Sequence, residues 1–247
     1  MKKYWNAFWM CQSMFCAIPC PTSVWDEKAR PWMLLFLPVV GLEMGLLWAG
    51  LAWLCRTLAL PELVAGFVLC AFPYLVSGCI HLDGFMDVTD AVGSCRSLER
   101  RREILKDSHV GSFAVIGCCL LMLGGFAFCA GAEGDFRILI FIPVVSRCCS
   151  ALAVTCLRPM GTSQYAGSFR EGVSRVQPVL LTVMLTSAIG ASFLVCGRYG
   201  LCLLGGLAGY ALALRKGFRA LDGMNGDISG YALTLSELAA VALWAIL

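Results

Sequence analysis

Residues 81–90 read His-Leu-Asp-Gly-Phe-Met-Asp-Val-Thr-Asp and directly follow a long apolar run. This spacing places Asp83, Asp87 and Asp90 at i, i+4 and i+7, on one face of a helix. Like charges so close together repel unless a cation lies between them. A solvated, acidic helix end is the alternative interpretation. We favour a divalent-metal site, because ionisable clusters at membrane depth are usually functional.

The composition places this acidic stretch in a membrane protein. The chain has 247 residues, of which 59% are hydrophobic and only 14% are charged, and its mean hydropathy is +0.78. A helix needs about 20 mostly apolar residues to cross a bilayer. We therefore predict an all-α, polytopic membrane helical bundle that forms a single domain over residues 1–247, with about seven transmembrane helices. The predicted spans are residues 32–55, 58–80, 111–131, 138–157, 178–196, 199–214 and 231–247.

The positions of the basic residues predict the orientation of these spans. Most of the 19 Lys and Arg lie in the N-terminal segment and after the second, fourth and sixth spans. Loops rich in these residues stay in the cytoplasm, so the acidic stretch is predicted to face the cytoplasm. Lys2, Lys3 and the aromatic segment after them are typical of an uncleaved interfacial or re-entrant helix. The lipid bilayer is thus a predicted partner, and nothing resembles a nucleic-acid-binding module.

The first cytoplasmic loop adds cations to the acidic helix. A basic stretch that includes Arg102 ends at Lys106, and Asp107 and Ser108 follow where the chain re-enters the membrane. Carboxylates that bind Mg²⁺, together with nearby ammonium or guanidinium groups, are the parts needed to hold a diphosphate. A solvated basic face that obeys the positive-inside rule is the alternative for the arginines.

The other two cytoplasmic loops give weaker signals. Residues 158–177 form either a segment that closes over a substrate or a plain linker. Residues 222–230 include Asn225, Gly226 and Asp227, and the glycines would allow a ligand to approach the backbone closely. An Asn-Gly pair is also an ordinary turn.

Two further residues have two interpretations each. Arg147 lies inside a predicted span and needs a partner, which is either a structural ion pair or a substrate phosphate. His81 is either an acid-base group or a structural histidine.

The pattern Gly78-x-x-His81-x-Asp83-Gly84-x-x-Asp87-x-x-Asp90, followed by Lys106-Asp107-Ser108-x-x-Gly111, resembles the adenosylcobinamide-GDP ribazoletransferase, or cobalamin synthase, family. Residues 14–21, 37–41 and 223–230 are similar to other motifs of that family, so the resemblance covers almost the whole chain. One departure is His109, which stands where the family pattern has an arginine.

The resemblance implies the last assembly step of the cobalamin nucleotide loop. Adenosylcobinamide-GDP and α-ribazole, or its 5′-phosphate, would give adenosylcobalamin, or its 5′-phosphate, and GMP, in a bacterial cytoplasmic membrane with Mg²⁺ as cofactor. The oligomeric state stays open between a homo-oligomer and an association with other corrinoid enzymes. The predicted metal ligands are Asp83, Asp87, Asp90 and Asp227. The predicted catalytic residues are the first three of these with Lys106, Asp107 and His81, and the predicted substrate-binding residues are Arg102, Ser108, Arg147, Asn225 and Gly226.

Other classes of membrane protein remain as alternatives. A CDP-alcohol phosphotransferase is disfavoured because its Asp-Gly-x-x-Ala-Arg pattern is missing, and a prenyltransferase would show a second Asp-x-x-x-Asp helix. A transporter would use the aspartates as an ion site, yet transporters favour sites at the membrane midplane. Here the charges gather at one membrane face.

Overall fold

A computed structural model describes residues 2–22, 25–161 and 172–247, and within these ranges the chain is helical with no β-strand. The helices are α1 (Lys2–Phe15), α2 (Arg30–Met33), α3 (Leu37–Thr57), α4 (Glu62–Val76), α5 (Ile80–Gly93), α6 (Leu98–Ile104), α7 (Ser112–Gly131), α8 (Ile142–Cys156), α9 (Val176–Cys196), α10 (Leu201–Leu221) and α11 (Gly226–Ile246). Short 3₁₀ segments at Leu34–Phe36, Phe136–Ile140 and Gly197–Gly200 join some of them.

The helices confirm the predicted all-α, polytopic membrane bundle. Within the described residues, five segments are long and apolar enough to cross a membrane, and a sixth span results if α4 and α5 are counted together. One of the five has 46 residues and contains both α9 and α10, each of 21 residues. Counting these two helices separately gives the predicted number of about seven. The five segments are Arg30–Thr57, Ser112–Gly131, Phe136–Cys156, Val176–Leu221 and Gly226–Ile246.

The second predicted span, residues 58–80, is not one straight helix. Helix α4 ends at Val76, and α5 starts at Ile80 at an angle of 91° to it. Between them Gly78 and Cys79 have φ values of +62° and +60°, a left-handed conformation that interrupts an α-helix. The acidic residues therefore lie on a separate helix that turns away from the apolar run.

Helix α1 covers this break in the chain. It buries Met10, Cys11 and Phe15 while Trp5 stays exposed, and just after it the Ala17 N–H donates to the Val76 carbonyl at 2.7 Å. With 14 residues, α1 is too short to cross a bilayer. Its depth in the membrane, interfacial or re-entrant, stays a prediction.

Glycines let α5 and α11 pack antiparallel at close range. A Cβ added to Gly84 would lie 2.9 Å from the Cα of Asp227, and one added to Gly230 would lie 3.1 Å from the His81 carbonyl oxygen. Helix α10 also packs antiparallel against α11, with Gly209 facing Ala239. The first turn of α11 is thus held directly against α5, with Asp227 near Asp83.

We expect Gly84→Ala to destabilise the protein by about 1–3 kcal/mol, because the new methyl group would push α5 away from α11. Gly50→Ala is the matched control, since a Cβ at this position in α3 meets no atom within 4 Å. That substitution should be neutral or stabilise the helix by up to about 1 kcal/mol. Thermal unfolding of both variants in detergent tests this expectation, and equal melting temperatures for the two would contradict the close crossing.

Candidate functional site

The acidic stripe is formed by Asp83, Asp87 and Asp90 on α5 and Asp227 in the first turn of α11. Asp87 lies at its centre and interacts electrostatically with the other three. In the part of the chain that the structure describes, the three α5 carboxylates form neither an ion pair nor a hydrogen bond. Four neighbouring carboxylates therefore have no positive partner there, which is an arrangement that attracts cations.

Asn225 fixes the position of Asp227. Its side-chain oxygen accepts the Ile228 N–H at 2.9 Å, which caps the N-terminus of α11, and its amide nitrogen donates to the Asp227 carboxylate at 2.6 Å. This cap starts the helix at Gly226, so the prediction of a glycine-rich loop over residues 222–230 is wrong for its second half. Asp227 is held by a helix and not by a loose turn.

The loop between α6 and α7 lies against the other end of the acidic stripe. Gly111 contacts the Asp90 carboxylate so closely that a Cβ at this position would overlap it. On the same loop Lys106 and Ser108 are exposed. The Asp107 carboxylate accepts the His109 backbone N–H at 3.0 Å and also contacts the His109 ring, and these hydrogen bonds lower the pKa of Asp107.

A cavity of about 440 Å³ adjoins the stripe. Asp83 and Asp227 line it together with three other residues predicted for the site, namely His81, Asn225 and Gly226. The structure thus brings together residues from two predicted motifs that are far apart in the sequence. The predicted site residues that do not line this cavity are Asp87, Asp90, Arg102, Lys106, Asp107, Ser108 and Arg147.

Arg102 lies at the turn that precedes α11. Its guanidinium donates to the Leu221 and Asp222 carbonyl oxygens, both at 3.1 Å, and lies 3.4 Å from the Asp222 carboxylate. Arg158 pairs with the same carboxylate, and both arginines lower the pKa of Asp222. In this structure Arg102 closes the C-terminal end of α10 and so positions Asn225 and the residues after it.

Residues 158–160 hold the same turn from its other side. The Met224 N–H donates to the Arg158 carbonyl at 2.9 Å, and the Met160 N–H donates to the Met224 carbonyl at 2.8 Å. The start of the second predicted loop is therefore part of the scaffold of the site. The choice between a segment that closes over a substrate and a plain linker falls mostly on residues 162–171, which lie outside the described residues.

We expect Arg102→Lys to accelerate amide hydrogen exchange at Gly223 and Met224 by roughly tenfold, because lysine cannot make the two carbonyl contacts together. Arg96→Lys, at an exposed position before α6, serves as the matched control and should leave this exchange unchanged. Equal exchange rates in both variants would show that Arg102 does not hold the turn.

Arg147 lies in the core and not at the acidic stripe. It is 1% exposed and donates to the Glu237 carboxylate of α11 at 2.7 Å. Ser146 donates to the same carboxylate oxygen at 2.8 Å. A buried ion pair between α8 and α11 thus accounts for the charge of Arg147 inside a span. Glu237, the partner of Arg147, was not among the predicted residues.

The acidic stripe suits a Mg²⁺ ion that carboxylates and substrate phosphates bind together. As placed in the described ranges, no three His, Cys, Asp or Glu side chains converge closely enough to hold a metal ion by themselves. Mg²⁺ is commonly bound by one or two carboxylates together with substrate phosphates and water, rather than by a cage of protein ligands. Unpaired aspartates beside a cavity suit that mode of binding, in which the substrate completes the site.

Comparisons with known proteins show which family this chain belongs to. A family model described as cobalamin-5-phosphate synthase matches residues 7–245. An adenosylcobinamide-GDP ribazoletransferase of Clostridium perfringens (strain SM101) is 36% identical, with 100% of both chains covered. Enzymes of the same name are 30% identical in Clostridium botulinum (strain Alaska E43), with 96% of each chain covered, and 29% identical in Geobacillus thermodenitrificans, with 100% of this chain and 96% of the relative covered. No solved structure matches the chain. This chain belongs to the cobalamin-5-phosphate synthase family.

Proposed function

We propose that this protein joins adenosylcobinamide-GDP to α-ribazole, or to its 5′-phosphate, and releases GMP. The product is adenosylcobalamin or its 5′-phosphate. Family membership and the names of the relatives support this reaction. The observation in the molecule that carries the proposal is the acidic stripe, which has no cationic partner among the described residues and borders a cavity that both α5 and α11 line.

The reaction is a phosphoryl transfer. A ribose hydroxyl oxygen of α-ribazole attacks the phosphorus that carries the cobinamide, the bond from this phosphorus to GMP breaks, and the hydroxyl proton passes to a carboxylate. Transfers of this kind depend mainly on positioning and on neutralising the charge of the diphosphate. The protein must therefore hold the diphosphate beside a hydroxyl group and exclude water.

Asp83, Asp87, Asp90 and Asp227 would hold Mg²⁺, which supplies positive charge to the diphosphate when it is bound. Asp83 and Asp227 line the cavity, so whichever of the two is not bound to the metal is the best-placed proton acceptor. Asp107 is a weaker candidate, because the hydrogen bonds from His109 lower its pKa and so reduce its basicity. Lys106, on the loop that contacts Asp90, would offset the charge of departing GMP.

We propose further that the enzyme lies in the bacterial cytoplasmic membrane with this site at the cytoplasmic face. The turn before α11 lies at the end of the bundle where Arg101, Arg102 and Arg158 gather. Because such clusters stay in the cytoplasm, the substrates would reach the site from that side.

Product analysis tests the proposed reaction directly. Purified protein in lipid vesicles, supplied with Mg²⁺, adenosylcobinamide-GDP and α-ribazole, should form adenosylcobalamin and GMP in equal amounts by mass spectrometry. Omitting α-ribazole should abolish the corrinoid product. Uptake of a corrinoid or a cation into the vesicles without GMP release would favour a transporter instead.

A further inference from the structure

The cavity beside the acidic stripe has two chemically different sides. Asp83, Asp227, Asn225, Ser150 and Ser229 supply its polar lining, while apolar residues, mostly of other segments, supply the apolar side. The apolar side takes Met14 and Phe15 from the end of α1, Leu34 and Leu37 from the start of the first span, and Val154 from α8. A volume of about 440 Å³ lies in the range of pockets that bind small organic molecules.

Among the described residues, His81 is the one aromatic heterocycle that lines this cavity, and one of its ring nitrogens has no hydrogen-bond partner there. Its ring is stacked on Phe15 with a centroid distance of 6.0 Å and an angle of 10° between the planes. The side chain is 7% exposed, and its Nε2 atom is buried without a hydrogen-bond partner in the described structure. An unpaired buried nitrogen is costly, so a ligand that pairs with it gains affinity.

We propose that this cavity receives the aromatic base of α-ribazole, and that His81 Nε2 donates a hydrogen bond to the base nitrogen that carries no sugar. This inference rests on the proposed function and adds to it an acceptor subsite with its specificity-determining residues. The planar base would lie against the apolar side, and the ribose would then face Asp83 and Asp227. His81 is thus a substrate-binding residue and not the general base.

The size of the cavity decides which substrate enters it. Adenosylcobinamide-GDP carries a corrin macrocycle and a nucleotide, which together are far larger than a pocket of about 440 Å³. A nucleoside with a two-ring base has the size of an ordinary pocket ligand. The diphosphate substrate would therefore bind along the stripe towards Asp87 and Asp90, outside this pocket.

Equilibrium binding of labelled α-ribazole to the full-length protein in nanodiscs tests the subsite, together with the KM for α-ribazole in the complete reaction. Val154→Phe fills the cavity, so it should weaken α-ribazole binding and raise the KM for α-ribazole, each by at least about tenfold. Val183→Phe is the matched control, since Val183 is 54% exposed on α9, and it should change neither. Leu34→Phe narrows the cavity from another wall and replaces Val154→Phe if that variant does not fold.

Two variants at position 81 separate stacking from hydrogen bonding. His81→Phe keeps a ring against Phe15 but loses the donor, and it should weaken α-ribazole binding by roughly tenfold. His81→Gln keeps a donor and should bind more tightly than His81→Phe. Free benzimidazole should compete with α-ribazole, and free ribose should not.

The outcomes distinguish this inference from the proposed function. If wild type forms GMP while Val154→Phe, Leu34→Phe and His81→Phe keep the wild-type KM and affinity for α-ribazole, the subsite is wrong and the reaction stands. If wild type binds α-ribazole through these residues but releases no GMP, the subsite stands and the proposed reaction fails.

Discussion

Asp83→Asn and Asp227→Asn are each expected to reduce GMP release from adenosylcobinamide-GDP by at least about a hundredfold. Asparagine has nearly the same shape as aspartate but no charge, so each substitution removes one of the carboxylates that line the cavity. The rate should be measured at saturating concentrations of both substrates with excess Mg²⁺.

The same two variants should be as stable as wild type, or more stable, when Mg²⁺ is absent. Each variant removes one negative charge from a group of carboxylates that has no cationic partner in the described chain. The remaining carboxylates then repel one another less. Asp135→Asn is the matched control: this aspartate pairs with Arg137 at the 3₁₀ segment before α8 and should leave the rate unchanged. A variant of Asp83 or Asp227 with the wild-type rate would show that the stripe is only a solvated surface.

Glu237→Gln is expected to destabilise the protein by about 3–5 kcal/mol, which is the largest stability effect that we predict. The Arg147 guanidinium would lose the charge that it contacts at 2.7 Å and would remain 1% exposed inside a span. Arg147→Met should have a cost of the same order, because the carboxylate is then left buried without its partner.

The double variant Arg147→Met with Glu237→Gln should recover much of this loss, since no unpaired charge is left in the core. Thermal unfolding in detergent measures all three variants. Glu62→Gln, at an exposed position on α4, is the matched control and should melt like wild type. Additive losses in the double variant would contradict a direct coupling between the two side chains.

Hydropathy and spacing predicted the helical bundle and the helix that carries the aspartates, because both depend on patterns within one segment. The break at Gly78 and Cys79 was not predicted. It depends on left-handed backbone conformations, and one of them is adopted by a cysteine, for which such a conformation is uncommon.

The site was predicted in its residues but not in its arrangement. The approach of Asp227 to the α5 aspartates depends on Gly84, and Asp90 meets Gly111 in a similar way; both are contacts between segments distant in sequence. The Asn225 cap, by contrast, is local. The contact of Arg102 with the Leu221 carbonyl could not be predicted either, because the two residues are far apart in the sequence. Glu237 could have been found, because it is the sole charged residue in the predicted seventh span and needed a buried partner.

The Mg²⁺ dependence of GMP release, measured in parallel for wild type and Asp227→Asn, tests most directly the claim that the acidic stripe holds the cation for phosphoryl transfer. We expect wild-type release to rise to saturation with Mg²⁺ and to stop when the metal is chelated. The variant should need a much higher concentration or show no release. Full wild-type activity under chelation, or the same Mg²⁺ dependence in both proteins, would contradict this account.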